Sequence, residues 1–140
     1  MKKRVLALAV PGVLMALGGC NTLGRQPAFQ KAAITPDDLK PGDSAVITAE
    51  VKDRNDIVRR VEGIVREDPA IKLKLRDDGA PPDEKAGDNI WTLQVDVPFQ
   101  APAGEFLLEL TAYRSDGTPV PVKKKEGPSG PLTTSVPLVI

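Results

Sequence analysis

Ile71-Lys72-Leu73-Lys74-Leu75-Arg76 alternates apolar and cationic residues without a break. Successive side chains of a β-strand point to opposite faces, so the stretch predicts a half-buried strand with Ile71, Leu73 and Leu75 on one side. The same period of two recurs in both directions. Upstream, Ala45, Ile47, Ala49 and Val51 alternate with Val46, Thr48, Glu50 and Lys52, and Ile57, Val61 and Val65 mark a second segment. Downstream, Trp91, Leu93, Val95 and Val97 form one face, Phe106, Leu108, Leu110 and Ala112 another, and Val136, Leu138 and Ile140 close the chain. Turn residues separate these runs: Pro41-Gly42-Asp43, Asp53-Arg54-Asn55-Asp56, Asp78-Gly79 and Asp116-Gly117, chosen for positive φ or for side chains that bond their own backbone. No segment holds a 3.6-residue period over ten residues. About seven strands at roughly 8–12-residue spacing predict an all-β fold, a single antiparallel β-sandwich.

Composition narrows the chemistry. The chain has 140 residues, 14 Pro, 12 Gly, one Cys and no His. That length suits one domain. Without His, and with one Cys, the sequence excludes zinc fingers, iron–sulfur clusters, haem and Ser-His or Cys-His catalytic units. The 19 basic and 19 acidic residues balance, but three of the basic ones are Lys2, Lys3 and Arg4. Their loss with a cleaved leader leaves 16 against 19, a net charge of −3, which argues against a nucleic-acid partner.

Those three residues precede the apolar stretch Val5 to Leu17. Thirteen helical residues are about 20 Å long against roughly 30 Å of hydrocarbon, too short for a permanent span. Pro11-Gly12 weakens a helix further. The pattern is that of a secretory signal peptide over residues 1–19. It ends in Leu17-Gly18-Gly19-Cys20, which resembles the lipobox of bacterial lipoprotein precursors. The resemblance implies cleavage between Gly19 and Cys20 and diacylglyceryl attachment to the Cys20 thiol, so that the mature protein is anchored to a membrane by lipid. Asn21 is not the Asp that resembles an inner-membrane retention signal, which leans the expectation towards the outer membrane, facing periplasm or exterior. Residues 20–31, containing Gly24 and Pro27 and lacking periodicity, read as the lipidated Cys and a flexible tether. No thiol then remains for a disulfide.

Residues 32–140 carry a second resemblance. Thr35-Pro36, Pro41-Gly42-Asp43, Leu75-Arg76-Asp77-Asp78-Gly79, Asp83, Ala86-Gly87-Asp88-Asn89-Ile90-Trp91-Thr92 and Ala103-Gly104-Glu105-Phe106 follow in order. The series resembles the immunoglobulin-like or fibronectin type III-like domains of bacterial surface and periplasmic proteins. It implies an Ig-like sandwich; it implies no activity, because that architecture hosts many roles.

Three features carry candidate chemistry. Asp77, Asp78, Asp83, Glu84 and Asp88 crowd into 12 residues among glycines, a set suited to weak binding of Ca²⁺, a hard cation that takes oxygen ligands. The spacing is not that of an EF-hand, and Asp in turns also bonds its own backbone. A hydrolytic acid/base pair drawn from the same carboxylates is a further alternative. Among the aromatics Trp91, Phe99, Phe106 and Tyr113, Trp91 shares a face with Leu93 and Val95 and reads as core, whereas Tyr113 lies on the opposite face and is the candidate partner contact. Lys123-Lys124-Lys125 opens a Pro/Gly-rich insert that reads as a solvated loop or as a contact for anionic lipid headgroups. The sequence thus predicts a non-enzymatic envelope protein, with no cofactor unless Ca²⁺, whose partners are the membrane and another envelope protein.

Overall fold

In a computed structural model the chain is described over residues 26–124 and 127–140. Leu17, Gly18, Gly19 and Cys20, with the rest of the segment expected to be a signal peptide, lie outside the described residues, as do Lys125 and Glu126 of the basic insert. No helix occurs among the described residues.

The strands are β1 (Ala28–Thr35), β2 (Ser44–Lys52), β3 (Arg60–Val65), β4 (Asp68–Lys74), β5 (Ile90–Asp96), β6 (Glu105–Tyr113), β7 (Pro121–Val122), β8 (Gly130–Pro131) and β9 (Thr133–Val139). Two sheets, β1-β2-β5 and β4-β3-β6-β9, pack face to face, and β7 and β8 form a small ladder. All strand pairs are antiparallel. The fold is an all-β sandwich with seven long strands. In the immunoglobulin constant arrangement the fourth strand joins the sheet of the first, second and fifth; here β4 pairs instead with β3.

The period-two pattern becomes one shared core. Ala45, Ile47, Ala49 and Val51 of β2 face Val61 of β3 and Leu108, Leu110 and Ala112 of β6, all buried. Trp91 belongs to the same cluster, as its register with Leu93 and Val95 predicts. Gly63 is the small residue that close packing demands, since a Cβ there would come within 2.8 Å of Leu110 Cδ2.

Two expectations change. The tether does not extend to residue 31: Gln26 exchanges two hydrogen bonds with the Lys123 backbone (2.8 and 2.9 Å), and β1 begins at Ala28. A register shift between Phe29 and Lys31 hides this strand from the sequence, because the extra residue breaks the alternation that would align Phe29 with Ala32 and Ile34. The alternation of Ile71, Leu73 and Leu75 does not yield three equally buried residues. Exposure falls from 44% at Ile71 to 3% at Leu75, with Leu73 between. The pairing of β4 with β3 slips between Lys72, which faces Ile64, and Asp68, which faces Val65, so residues 69–71 of this edge strand, Ile71 among them, bulge out of the register.

Just beyond β4 the chain changes sheets. The Leu75 N–H donates to Val61 O (3.0 Å) of one sheet, while Arg76 exchanges two 2.8 Å bonds with Thr92 of the other. At the opposite side Pro36, which lacks an N–H, ends β1, and the chain lies parallel to β9, with the Leu39 N–H donating to Val139 O (2.8 Å).

Replacing Leu75 with Ala should cost about 2–5 kcal/mol, the range for a buried Leu, whereas Ile71→Ala should cost under about 1 kcal/mol as an exposed site. Urea denaturation of the two variants checks this; equal losses would contradict the described crossover.

Candidate functional site

The loop after Arg76 folds by satisfying its own backbone. The Asp77 carboxylate accepts from the N–H groups of Gly87 and Asn89, both at 3.1 Å. Asp83 Oδ2 accepts from the Gly79 N–H at 2.8 Å, and Asp88 Oδ1 from the Ile90 N–H at 3.0 Å. Gly79, Gly87 and Asn89 all take positive φ (76°, 74° and 62°), which Gly adopts freely and Asn tolerates. The turn role expected of these carboxylates is therefore present.

It does not account for their mutual placement. One carboxylate oxygen from each of Asp77, Asp83 and Asp88 lies within 4.8 Å of the others. Asp78, counted with them from the sequence, turns away: its Oδ2 accepts from Arg76 Nε (2.9 Å) and its Oδ1 from the Ala80 N–H (3.0 Å). The Ala80 N–H, then the Arg76 guanidinium, hold Asp78 below its ordinary carboxylate pKa. Asp77 moves the other way. Burial, followed by the hydrogen bond and charge of Asp88 and the charge of Asp83, pushes its pKa up to about 6 against the lowering effect of the Asn89 N–H.

A hollow of about 470 Å³ opens beside Asp77, lined also by Asp53, Asp56, Arg59, Asn89 and Trp91. Its other carboxylates already have partners. Asp53 accepts from the Ile57 and Val58 N–H groups (2.9 and 2.8 Å), and Asp56 pairs with Arg59 (3.1 Å). Of the trio, Asp83 is buried and closed to a substrate, so the paired-acid reading gains nothing from this geometry.

Tyr113 is half-buried on the outer face of the four-stranded sheet, at a shallow hollow of about 180 Å³ with Glu62, Ile64, Lys72 and Thr111. The more exposed aromatic is Phe99, at 84%. Its ring lies over Gly42, where a Cβ would sit 2.6 Å from Phe99 Cε1. Beside this turn a hollow of about 490 Å³ is lined by Val65, Ile71, Pro98, Pro102, Phe106 and Ile140, among others. The sequence grouped Phe99 with the other aromatics without separating it; its signal is its place in a turn, Pro98-Phe99-Gln100, beyond the end of an alternating strand.

The chain matches no protein-family model, and comparison with curated proteins gives no significant match.

The raised pKa of Asp77 sets a pH dependence. The native state holds the proton more tightly than the unfolded chain, so this group's contribution is complete below about pH 4 and is lost as pH rises through about 6. In metal-free buffer Asp77→Asn should flatten that fall, seen as a smaller drop in Tm between pH 4 and 6; an unchanged slope would contradict the crowding described.

Proposed function

We propose that the chain is a lipid-anchored, non-enzymatic envelope protein whose sandwich makes contact with another envelope protein. The observation that carries this reading is the apolar end formed by Phe99, Ile71 and the hollow between Pro98 and Phe106. Exposed apolar clusters of this kind mark interaction surfaces, and aromatics are enriched among the residues that dominate binding.

Chain direction supports the arrangement. Ala28 pairs with Lys52, and Glu50 with Ile90, so the chain enters the domain at the end bearing the Asp53–Arg59 and Asp77–Asn89 loops. Phe99 and Gly42 lie at the other end. An anchor at Cys20 would leave the Phe99 end facing away from the bilayer. Tyr113, at the entering end, is the weaker contact in this reading. The lipid attachment itself rests on Leu17-Gly18-Gly19-Cys20, and two or more acyl chains would hold the protein stably, at about 0.8 kcal/mol per buried CH₂.

One experiment in cells tests both parts. A photo-crosslinking residue at position 99 should give one discrete adduct with an envelope protein, and the same residue at Thr118, at the entering end, should not. Cys20→Ser should leave an unprocessed precursor and remove the adduct. Equal crosslinking from both positions would overturn the contact surface, and unchanged processing of Cys20→Ser would overturn the anchor.

A further inference from the structure

The Asp77–Asp88 cluster lies at the end of the domain away from Phe99, and it is explained neither by the contact surface nor by turn formation alone. Two independent observations meet there. The first is the grouping of three carboxylate oxygens within 4.8 Å. Oxygen ligands stand about 2.3–2.6 Å from Ca²⁺, so two on opposite sides of the ion are roughly 5 Å apart; a single ion reaches all three carboxylates. The second is Asp83, which is 3% exposed and whose Oδ1 is sealed from solvent with no hydrogen-bond donor. Native structures rarely leave a buried acceptor open, and a buried charge needs a counter-charge. Among the described residues no Lys or Arg supplies one, since the ion pairs formed involve Arg59, Arg60, Arg66 and Arg76 with other carboxylates.

We propose that Asp77, Asp83 and Asp88 form a divalent-cation site, and that the cation is Ca²⁺. The donors are all hard oxygens, and they sit on an irregular loop. Ca²⁺ accepts six to eight such ligands in variable geometry and completes its shell with carbonyls and water, whereas Mg²⁺ demands a near-ideal octahedron and sheds water reluctantly. The hydrogen bonds from Gly79, Gly87, Asn89 and Ile90 fix the three carboxylates before the ion arrives and leave each with lone pairs to donate. Bound Ca²⁺ would then brace the 77–88 loop, which the Asp77 carboxylate already closes at its neck. This inference does not depend on the Phe99 surface.

The test uses the full-length protein in detergent, stripped with chelator and titrated with CaCl₂ by isothermal calorimetry, with Tm followed in parallel and MgCl₂ as the comparison. The expected result is saturable binding with a Kd of about 10⁻⁴–10⁻³ M, the range of extracellular Ca²⁺ modules, and a rise in Tm that Mg²⁺ does not reproduce. Asp83→Asn and Asp88→Asn should each weaken binding roughly tenfold or more, and Asp78→Asn should leave it unchanged. Asp88 is only partly buried, so Asp88→Asn carries the test if Asp83→Asn does not fold. Absence of heat and of a Tm shift in the wild type, or the same affinity in Asp88→Asn, would overturn the proposal.

Discussion

Leu75 and Arg76 hold the two sheets to one another. Each sheet offers edge hydrogen-bonding groups that would otherwise face water or another chain, and a sandwich of two open sheets is held mainly by non-directional burial. At this point one continuous segment pairs with both: Leu75 with Val61 of the four-stranded sheet, Arg76 with Thr92 of the three-stranded one. The buried Leu75 side chain joins the shared core. Because the crossover spans two adjacent residues, the chain emerges from it at a fixed place and in a fixed direction.

That constraint builds the acidic loop. Asp77 follows Arg76 directly, and its carboxylate reaches across the loop to Gly87 and Asn89, immediately before β5 begins. The loop therefore leaves the β5 edge at Arg76 and returns to it at Ile90, closed by a carboxylate at its neck. Asp83 and Asp88 are drawn inside this closure, and Asp78, one residue past the neck, is carried outward to Arg76. The same rule acts at the other end of the molecule, where Val97 and Gly42 share a backbone bond (2.8 Å) and the turn beyond it leaves Phe99 in solvent.

The strands were legible because a half-buried sheet imposes a period of two on its residues, and Ile47, Leu108, Leu110 and Trp91 obey it. β1 was not legible from its start, because the register shift at Gln30 breaks that period. Ile71 and Leu75 looked equivalent in the sequence; what separates them is a slip in pairing with β3 and a change of sheet, both long-range. The acidic loop was visible as a composition, yet which carboxylates converge depends on hydrogen bonds spanning up to 12 residues. Asp78 and Asp77 are neighbours in sequence with opposite surroundings, and no local pattern distinguishes them. The apolar end was hidden for the same reason, since Ile71, Pro98 and Ile140 meet only in the folded chain.

Amide hydrogen exchange reads the crossover directly. If one segment ties both sheets, the N–H groups of Arg76 and Thr92 should exchange nearly as slowly as those of Ile47 and Leu110 in the core strands, through openings close to global unfolding. Exchange at Arg76 and Thr92 as fast as at exposed loop residues such as Lys85 would mean that this segment does not tie the two sheets.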